Sequence, residues 1–495
     1  MDNIGKRVSA GIFWMVGARL VDRFIGIIST LILARLLVPG DFGLVAMATA
    51  IGGFLDLLGA FSFDMALIQN RKAERKHYDT VWTFNVIFGL TCGLLLLVLA
   101  EPAAGFYSEP RLTTVMYVLS ISYFVTAFTN VGVVAFRKDL TFDKEFKFIF
   151  ARRIATFIVT VTGAWLLRSY WALLAGMTVG RMISVIMSYT MNSYRPRLSL
   201  AAARELFGFS KWLLINNMLF FLQRNSCNFI IGRMFGASQL GIYTVSHEIS
   251  ILPSTELVAP INRVMFPGFS RMKGIEEVAQ AFLKLTGLIA LTVMPLGIGI
   301  AAVATPLVLT ALGEKWIAAI PLIQLLAIHG ALAATQGNNG VVWLALGHPR
   351  KTTSAAALFV AVLLPGLYLF MTTIGVNGAG YAYLVAHAVT VPYTMTVTRR
   401  LLGFGYGTVL AVLWRPALGV IVMYAAVYWA DTLVLAHPPL LRLLFDSLAG
   451  AVTYIVVVLL AWRLAGMPAG SAEWFVLERV MQRLRGLRRR PTPKT

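Results

Sequence analysis

ILARLLVPGDFGLVAMA, residues 32–48, has a counterpart 198 positions further on in IIGRMFGASQLGIYTVS, residues 230–246. Without a gap, the same offset pairs Trp14 with Trp212, Ile32 with Ile230, Arg35 with Arg233, Gly43 with Gly241 and Ile51 with Ile249. The identities are few, but an arginine and a glycine recur at the same turn, and similar numbers of apolar runs follow each copy. Both features point to internal repetition rather than two generic apolar hairpins. About six apolar runs separate the copies, so the repeats are parallel, related by an axis along the membrane normal. The expectation is two six-helix lobes facing each other across a central cavity.

Composition agrees with a membrane setting. Of 495 residues, 58% are hydrophobic and only 13% charged, with a mean hydropathy of +0.75, far from the balance of a soluble domain. Runs of about 20 apolar residues, enough to cross a hydrocarbon layer roughly 30 Å thick, follow one another almost to the C-terminus. Inside lipid the backbone has only itself to bond, so the spans must be helical. They read as 11–37, 42–65, 81–99, 112–136, 148–167, 171–189, 212–235, 240–265, 283–303, 317–346, 355–373, 376–397, 409–429 and 443–462. The expected fold is therefore all-α, a polytopic integral membrane protein of about 14 transmembrane helices. An N-terminal lobe covers 1–200 (spans 1–6), a C-terminal lobe 201–403 (spans 7–12), an extra two-helix hairpin 404–464, and a basic cytoplasmic tail 465–495.

The net charge of +21 would suit a nucleic-acid partner only if it gathered on one soluble face. Instead it is spread over alternate short loops, among them Arg71, Lys72, Arg137, Arg195, Arg350 and Arg399, whereas the opposite loops hold only Arg35, Arg111, Arg168, Arg233, Lys315 and Arg442. By the positive-inside rule both termini are cytoplasmic and no nucleic acid is expected. The first apolar stretch contains Arg19, Asp22 and Arg23 and lacks a small-x-small exit, so it reads as a retained span rather than a cleaved signal. Cys92 and Cys227, both in apolar runs, read as small packing residues. AEWFVLERVMQRLRGLRRR, residues 472–490, spaces Trp474, Leu477, Met481, Leu484 and Leu487 at helical intervals among arginines; it is either a solvated tail or an interfacial helix on anionic membrane lipids.

Charge within a span normally faces a cavity or a partner. Arg19, Asp22 and Arg23 stand at i, i+3, i+4, on one helical face with net charge of one positive. In the seventh span Arg224, flanked by Gln223 and Asn225, with Asn217 two turns earlier, gives the second repeat a polar face. Arginine is shaped to hold phosphate or carboxylate oxygens through two parallel N–H groups, so these residues predict an anionic substrate. An internal Arg–Asp pair around Asp22 is the purely structural alternative. Arg181 is a further candidate, although AGMTVGRM around it also suits close helix packing. Asp56 and Asp64 in the second span, and Glu248 and Glu256 in the eighth, are candidates to take and release a coupling ion, or are paired or hydrated near a membrane edge. His247, His329 and His387 read as packing residues before proton relays. TQGNNG, residues 335–340, predicts a bent or unwound segment lining a cavity, and VMPLGIG, residues 293–299, permits bending. No P-loop, nucleophile elbow, HExxH or loop metal motif is present, so neither enzyme activity nor a cofactor or metal is expected.

ARLLVPGDFGLVAMA (34–48), RNSCNFIIGRMFGASQLGIYTVSHEI (224–249), PINRVMFPGFSRM (260–272) and LALGHPRK (344–351) resemble the polysaccharide-transporter family of the multidrug/oligosaccharidyl-lipid/polysaccharide exporter superfamily. The resemblance spans nearly the whole chain. It implies twelve to fourteen helices and transfer of an undecaprenyl-diphosphate-linked oligosaccharide across the bacterial inner membrane by alternating access, for lipopolysaccharide or exopolysaccharide synthesis. Polymerase and chain-length proteins of the same pathway would be partners. Arg224 and Asn225 match that family's polar pair; where an aspartate commonly follows, this chain has Cys227. A peptidoglycan-precursor flippase, a cation-coupled drug antiporter of the same superfamily and a membrane glycan polymerase or ligase are the competing readings.

Overall fold

In the computed structural model, residues 17, 21–58, 67, 73–139, 141–203, 211–468 and 470–488 are described, and among them no strand occurs. The chain divides into two compact units, 1–245 and 246–495. The lobe limits expected from the repeat, with their boundary at 200/201, stand as a proposal.

In the first unit, residues 21–36 form α1. It is followed by α2 (Pro39–Leu58), α3 (Arg75–Tyr107), α4 (Arg111–Ala127), α5 (Phe142–Leu167), α6 (Trp171–Thr190) and the first part of α7 (Lys211–Ser250). The second unit holds α8 (Ala259–Arg271), α9 (Ile275–Ala302), α10 (Ile320–Ala345), α11 (Pro349–Ile374), α12 (Gly378–Leu402), α13 (Tyr406–Leu433), α14 (Pro439–Leu464) and α15 (Ala472–Arg488). Nine segments of the described residues are long and apolar enough to cross a membrane, or ten if the bent pair Arg111–Ala127 and Val131–Lys138 is one span. One of the nine, Pro349–Leu402, is α11 and α12 joined by the tight turn Gly375–Asn377. The molecule is thus a multi-pass helical membrane protein; the figure of fourteen is not itself established. Large apolar side chains are left on the outside, among them Ile421 at 67%, Trp429 at 66% and Leu448 at 65% exposed. A surface of this kind is stable only against lipid or another protein.

The repeated motif has the same shape in both copies. α1 and α2 break at Leu37 and Val38, and α7 is broken by Gly236, whose φ of 77° suits a residue without a side chain; Val38 and Gly236 are 198 positions apart. The two copies also cross. A Cβ on Gly43 would strike the Ala237 carbonyl, and one on Gly241 would strike the Pro39 carbonyl. Both contacts map onto each other under the same offset, as in a contact made by two like surfaces across a local twofold.

Two expected features differ. TQGNNG does not unwind: α10 is helical throughout. Its amides are bonded sideways, Asn338 donating to Thr286 Oγ1 at 2.7 Å, and Thr398 donating to Asn339 Oδ1 at 2.8 Å and Thr394 to Gln336 Oε1 at 3.0 Å from α12. Thr335 and Asn339 also donate to carbonyls of their own helix, Leu332 O at 2.8 Å and Gln336 O at 3.1 Å, without unwinding it. The break lies elsewhere, at 128–130, inside the expected fourth span. There Asn130, fully buried, accepts from Gly132 N at 2.8 Å and its own N–H donates to Ser188 Oγ at 2.9 Å. The following turn leaves at 70°. In the eighth span, Pro253 precedes a wide helical turn, Ser254–Val258, before α8.

The tail segment forms α15 and is docked. Arg415 of α13 and Glu473 of α15 are 6% and 4% exposed and meet Nε to Oε1 at 2.8 Å. Trp462 Nε1 donates to Ser471 Oγ at 3.1 Å, and the Lys284 ammonium lies 4.4 Å from the Phe475 ring centre. Removing one partner of such a pair strands the other charge, a loss of about 3–5 kcal/mol. Glu473→Met should therefore lower the thermal midpoint in detergent well below wild type, and Arg415→Met/Glu473→Met together should recover most of it.

Candidate functional site

Small residues set the spacing of α5 and α6. Gly176 and Gly180, four positions apart in AGMTVG, lie against Thr160 and Thr156, whose hydroxyls occupy the places where a Cβ would go. Backbones that approach so closely bring the side chains flanking the contact together. Arg152 and Arg153 of α5 and Arg181 of α6 converge there on a cavity of about 430 Å³. Thr126, Thr129, Val133, Phe148, Thr156, Met177, Gly180 and Ser184 complete its wall, and no carboxylate is among these lining residues. The helix break after α4 forms part of the wall, in keeping with irregular backbone being tolerated at membrane depth where it lines a cavity.

The arginines are oriented by neighbours outside the cavity. Asp22 of α1 pairs with Arg153, Oδ1 to Nε 3.3 Å, and the Arg153 guanidinium packs over Gly26. The Arg181 guanidinium lies 4.9 Å from the Tyr123 ring centre, a cation–π contact. The Tyr123 hydroxyl bonds the Asp56 carboxyl and rests against Gly52. Two aspartates on α1 and α2 thus hold two of three arginines from behind, leaving hydroxyls and guanidinium groups toward the cavity. Such a wall suits a compact polyanion through its arginines, which supply charge and paired N–H groups; the hydroxyls of Thr126, Thr129, Thr156 and Ser184 donate to backbone carbonyls three or four residues earlier in the chain.

Of the residues singled out in the sequence, Asp22, Asp56 and Arg181 are brought to this cluster, and Arg23 follows Asp22 on α1, half-buried. Arg224 is exposed on α7, and Asn217, Gln223 and Asn225 are half-buried there. None of the four lines the cavity. They belong to the stretch in which Phe221 packs at 5.8 Å on Phe54 of α2, half a turn before Asp56. Asn225 is engaged with its own helix, donating to Phe221 O at 3.3 Å. Glu248 and Glu256 fall in the second unit, Glu256 in the wide turn before α8. Arg19 and Asp64 lie outside the described residues. Cys92 and Cys227 are buried and form no disulfide.

Sequence reasoning missed Arg152, Arg153 and Tyr123. Both arginines fall near the start of the expected span 148–167 and count among the cytoplasmic-side cations, so they do not stand out as charge within a span. The helix starts at Phe142, ahead of the apolar run, and places them about 15 Å along its axis. The spacing of Gly176 and Gly180 beside Arg181 was the available signal that another helix lay within reach.

A multi-pass helical chain with buried charge and a polar cavity in one unit is a membrane transporter in architecture. It belongs to the polysaccharide biosynthesis protein family, whose sequence profile matches residues 32–321. Among curated relatives, the succinoglycan biosynthesis transport protein ExoT of Rhizobium meliloti (strain 1021) is 25% identical, over 92% of this chain and 94% of that one. The lipopolysaccharide biosynthesis protein WzxC of Escherichia coli (strain K12) is 22% identical, over 84% and 85%. The fold matches the lipid II flippase MurJ in an inward closed conformation, with a TM-score of 0.70 at 12% identity over 91% of this chain and 99% of that one. It also matches an inward-facing multidrug resistance MATE family transporter, with a TM-score of 0.53 at 14% identity over 77% and 95%. The expected membership in the polysaccharide-transporter family is thereby confirmed.

Proposed function

We propose that the protein is a flippase that moves undecaprenyl-diphosphate-linked oligosaccharide units from the cytoplasmic to the outer leaflet of the bacterial inner membrane, by alternating access, for surface or exopolysaccharide synthesis. The observation that carries this reading is the arginine cavity between α5 and α6. Its volume of about 430 Å³ is within the range of small-ligand sites and suits a diphosphate with its first sugar, while the polyprenyl chain stays in lipid. Arg152, Arg153 and Arg181 take the phosphates. On the sequence pattern, Arg19, Arg23 and Arg224, with the amides of Asn217, Gln223 and Asn225, are further candidate contacts for the head group. Differential affinity of the head group for the two access states drives the change between them.

The family and the transport and biosynthesis relatives favour a polysaccharide precursor over a peptidoglycan one, and a cation-binding drug site would be lined by acid or aromatic groups. The distribution of Lys and Arg favours both termini in the cytoplasm. The chain carries no chemistry of its own in this reading, and polymerase and chain-length proteins act on the unit it delivers.

Depleting the protein in its host should raise lipid-linked oligosaccharide and confine it to the inner leaflet, with surface polymer falling in parallel. Accumulation in the outer leaflet would instead mark a polymerase or ligase. Unchanged lipid-linked oligosaccharide with altered drug tolerance would mark an antiporter.

A further inference from the structure

The second unit contains a group of imidazoles that the cavity chemistry does not use. His329, midway along α10, and His387, midway along α12, are each 7% exposed, with ring centres 4.8 Å apart. Tyr383, one turn before His387, lies 4.3 Å from the His329 ring, and Phe359 of α11 meets His387 edge-on at 5.1 Å. His247, near the end of α7, is 6.5 Å from Tyr383. α9 reaches this part of α10 through Gly297, packed on Ala327 and Ala331. The groups acting electrostatically on His329 are His387 and His247. Nδ1 of His329 and Nε2 of His387 are closed off from solvent without a hydrogen-bond partner.

Each unmet polar atom costs about 1–3 kcal/mol, which an aliphatic pair of similar size would avoid. Each neutral imidazole carries one N–H and one lone pair. Sodium and other hard cations require oxygen ligands, and no group of three or more His, Cys, Asp or Glu able to hold a metal occurs among the described residues. A proton meets the requirement. It adds to a lone pair of one ring, forming one N–H bond, and with ring centres 4.8 Å apart a turn of one imidazole about its side-chain bond lets the new N–H donate to the lone pair of the other. The site is neutral when empty and carries one positive charge when filled. A buried charge of this kind is favoured only where water can reach it. Filling and emptying are thereby tied to opening and closing of the helices around it.

We infer that His329 and His387 form a proton-binding site that holds one proton between two imidazoles. Only the coupling of this proton to turnover rests on the flippase reading; the binding itself does not.

The test uses the full chain in detergent without any lipid-linked substrate. Proton uptake on acidification from about pH 8 to about pH 4 is counted with an indicator dye, for wild type, His329→Asn, His387→Asn and the double variant. A shared proton predicts that both single variants and the double each take up roughly one proton fewer than wild type. Equal uptake by all four overturns the site. So does a double variant that loses two protons while each single loses one, since that describes two independent histidines. If the variants fail to fold, ¹⁵N-histidine spectra of wild type decide the matter: two rings must change together with pH, and two separate titrations overturn the pair. Polymer output is not read in these experiments. Failure of the flippase reading therefore leaves the proton count standing, and equal proton counts leave the flippase reading standing.

Discussion

Changing Arg152, Arg153 and Arg181 together to alanine should abolish surface polymer while the protein continues to reach the membrane. Each arginine offers a charge-assisted contact of about 1.5–3 kcal/mol to a phosphate. At roughly 1.4 kcal/mol per factor of ten, the loss of two such contacts already lowers affinity by at least about 100-fold. Folding should survive. Asp22, the partner of Arg153, is 43% exposed, so removing the arginine does not seal its charge inside the packed core. Arg181 gives up its ring contact with Tyr123, worth about 0.5–2 kcal/mol. Lysine in place of all three restores the charge without the paired N–H geometry and should recover export only in part. Export is measured as surface polysaccharide per molecule of membrane-inserted protein. Normal export by the alanine triple would remove the cavity from the mechanism.

The second large effect concerns folding. Alanine at Gly43 or Gly241 would place its methyl group into a backbone carbonyl of the facing copy of the motif. Backbone cannot swing aside as the end of a side chain can, so the helices must separate. Overpacking of this kind costs about 1–3 kcal/mol per site, and valine at both should prevent accumulation of folded protein. Gly105 and Gly299 have open space where a Cβ would go. Alanine there should leave the thermal midpoint unchanged or raise it slightly, since helical alanine is favoured over glycine by up to about 1 kcal/mol. Equal behaviour of the two pairs of positions would show that the crossing is not tight.

The pairing of Gly43 with Gly241 was readable as a repeat, because an exact offset preserves residue type. That the two glycines would touch was not, since contact depends on how the copies fold back. Most spans were readable for a simple reason: lipid demands long apolar runs. The interruptions were not. Asn130 sits in the apolar stretch FTNVGVV and ends a helix through its own side chain and Ser188, whereas TQGNNG carries more helix-breaking residues and stays helical with Thr286, Thr394 and Thr398 engaging Asn338, Gln336 and Asn339 from neighbouring helices. Partners distant in sequence decide both cases.

The same limit applied to charge. Asp22, Asp56 and Arg181 stood out because they interrupt apolar runs. Arg152 and Arg153 did not, being next to genuinely polar sequence. Arg415 lies inside the thirteenth span, yet its partner Glu473 is 58 positions away, beyond any spacing rule. The acidic candidates divide similarly. Asp22 and Asp56 are found behind arginines, Asp22 pairing with Arg153 and Asp56 bonded to Tyr123, whose ring meets Arg181.

The most direct measurement of the central claim is binding of undecaprenyl diphosphate to the purified chain, compared with undecaprenol, which has the same tail and no charge. Wild type should prefer the diphosphate by at least about 100-fold, the loss expected from two charge-assisted contacts. The triple alanine variant should show little preference. Equal binding of the two lipids to wild type, or an undiminished preference in the triple variant, would contradict an anionic head-group site between α5 and α6.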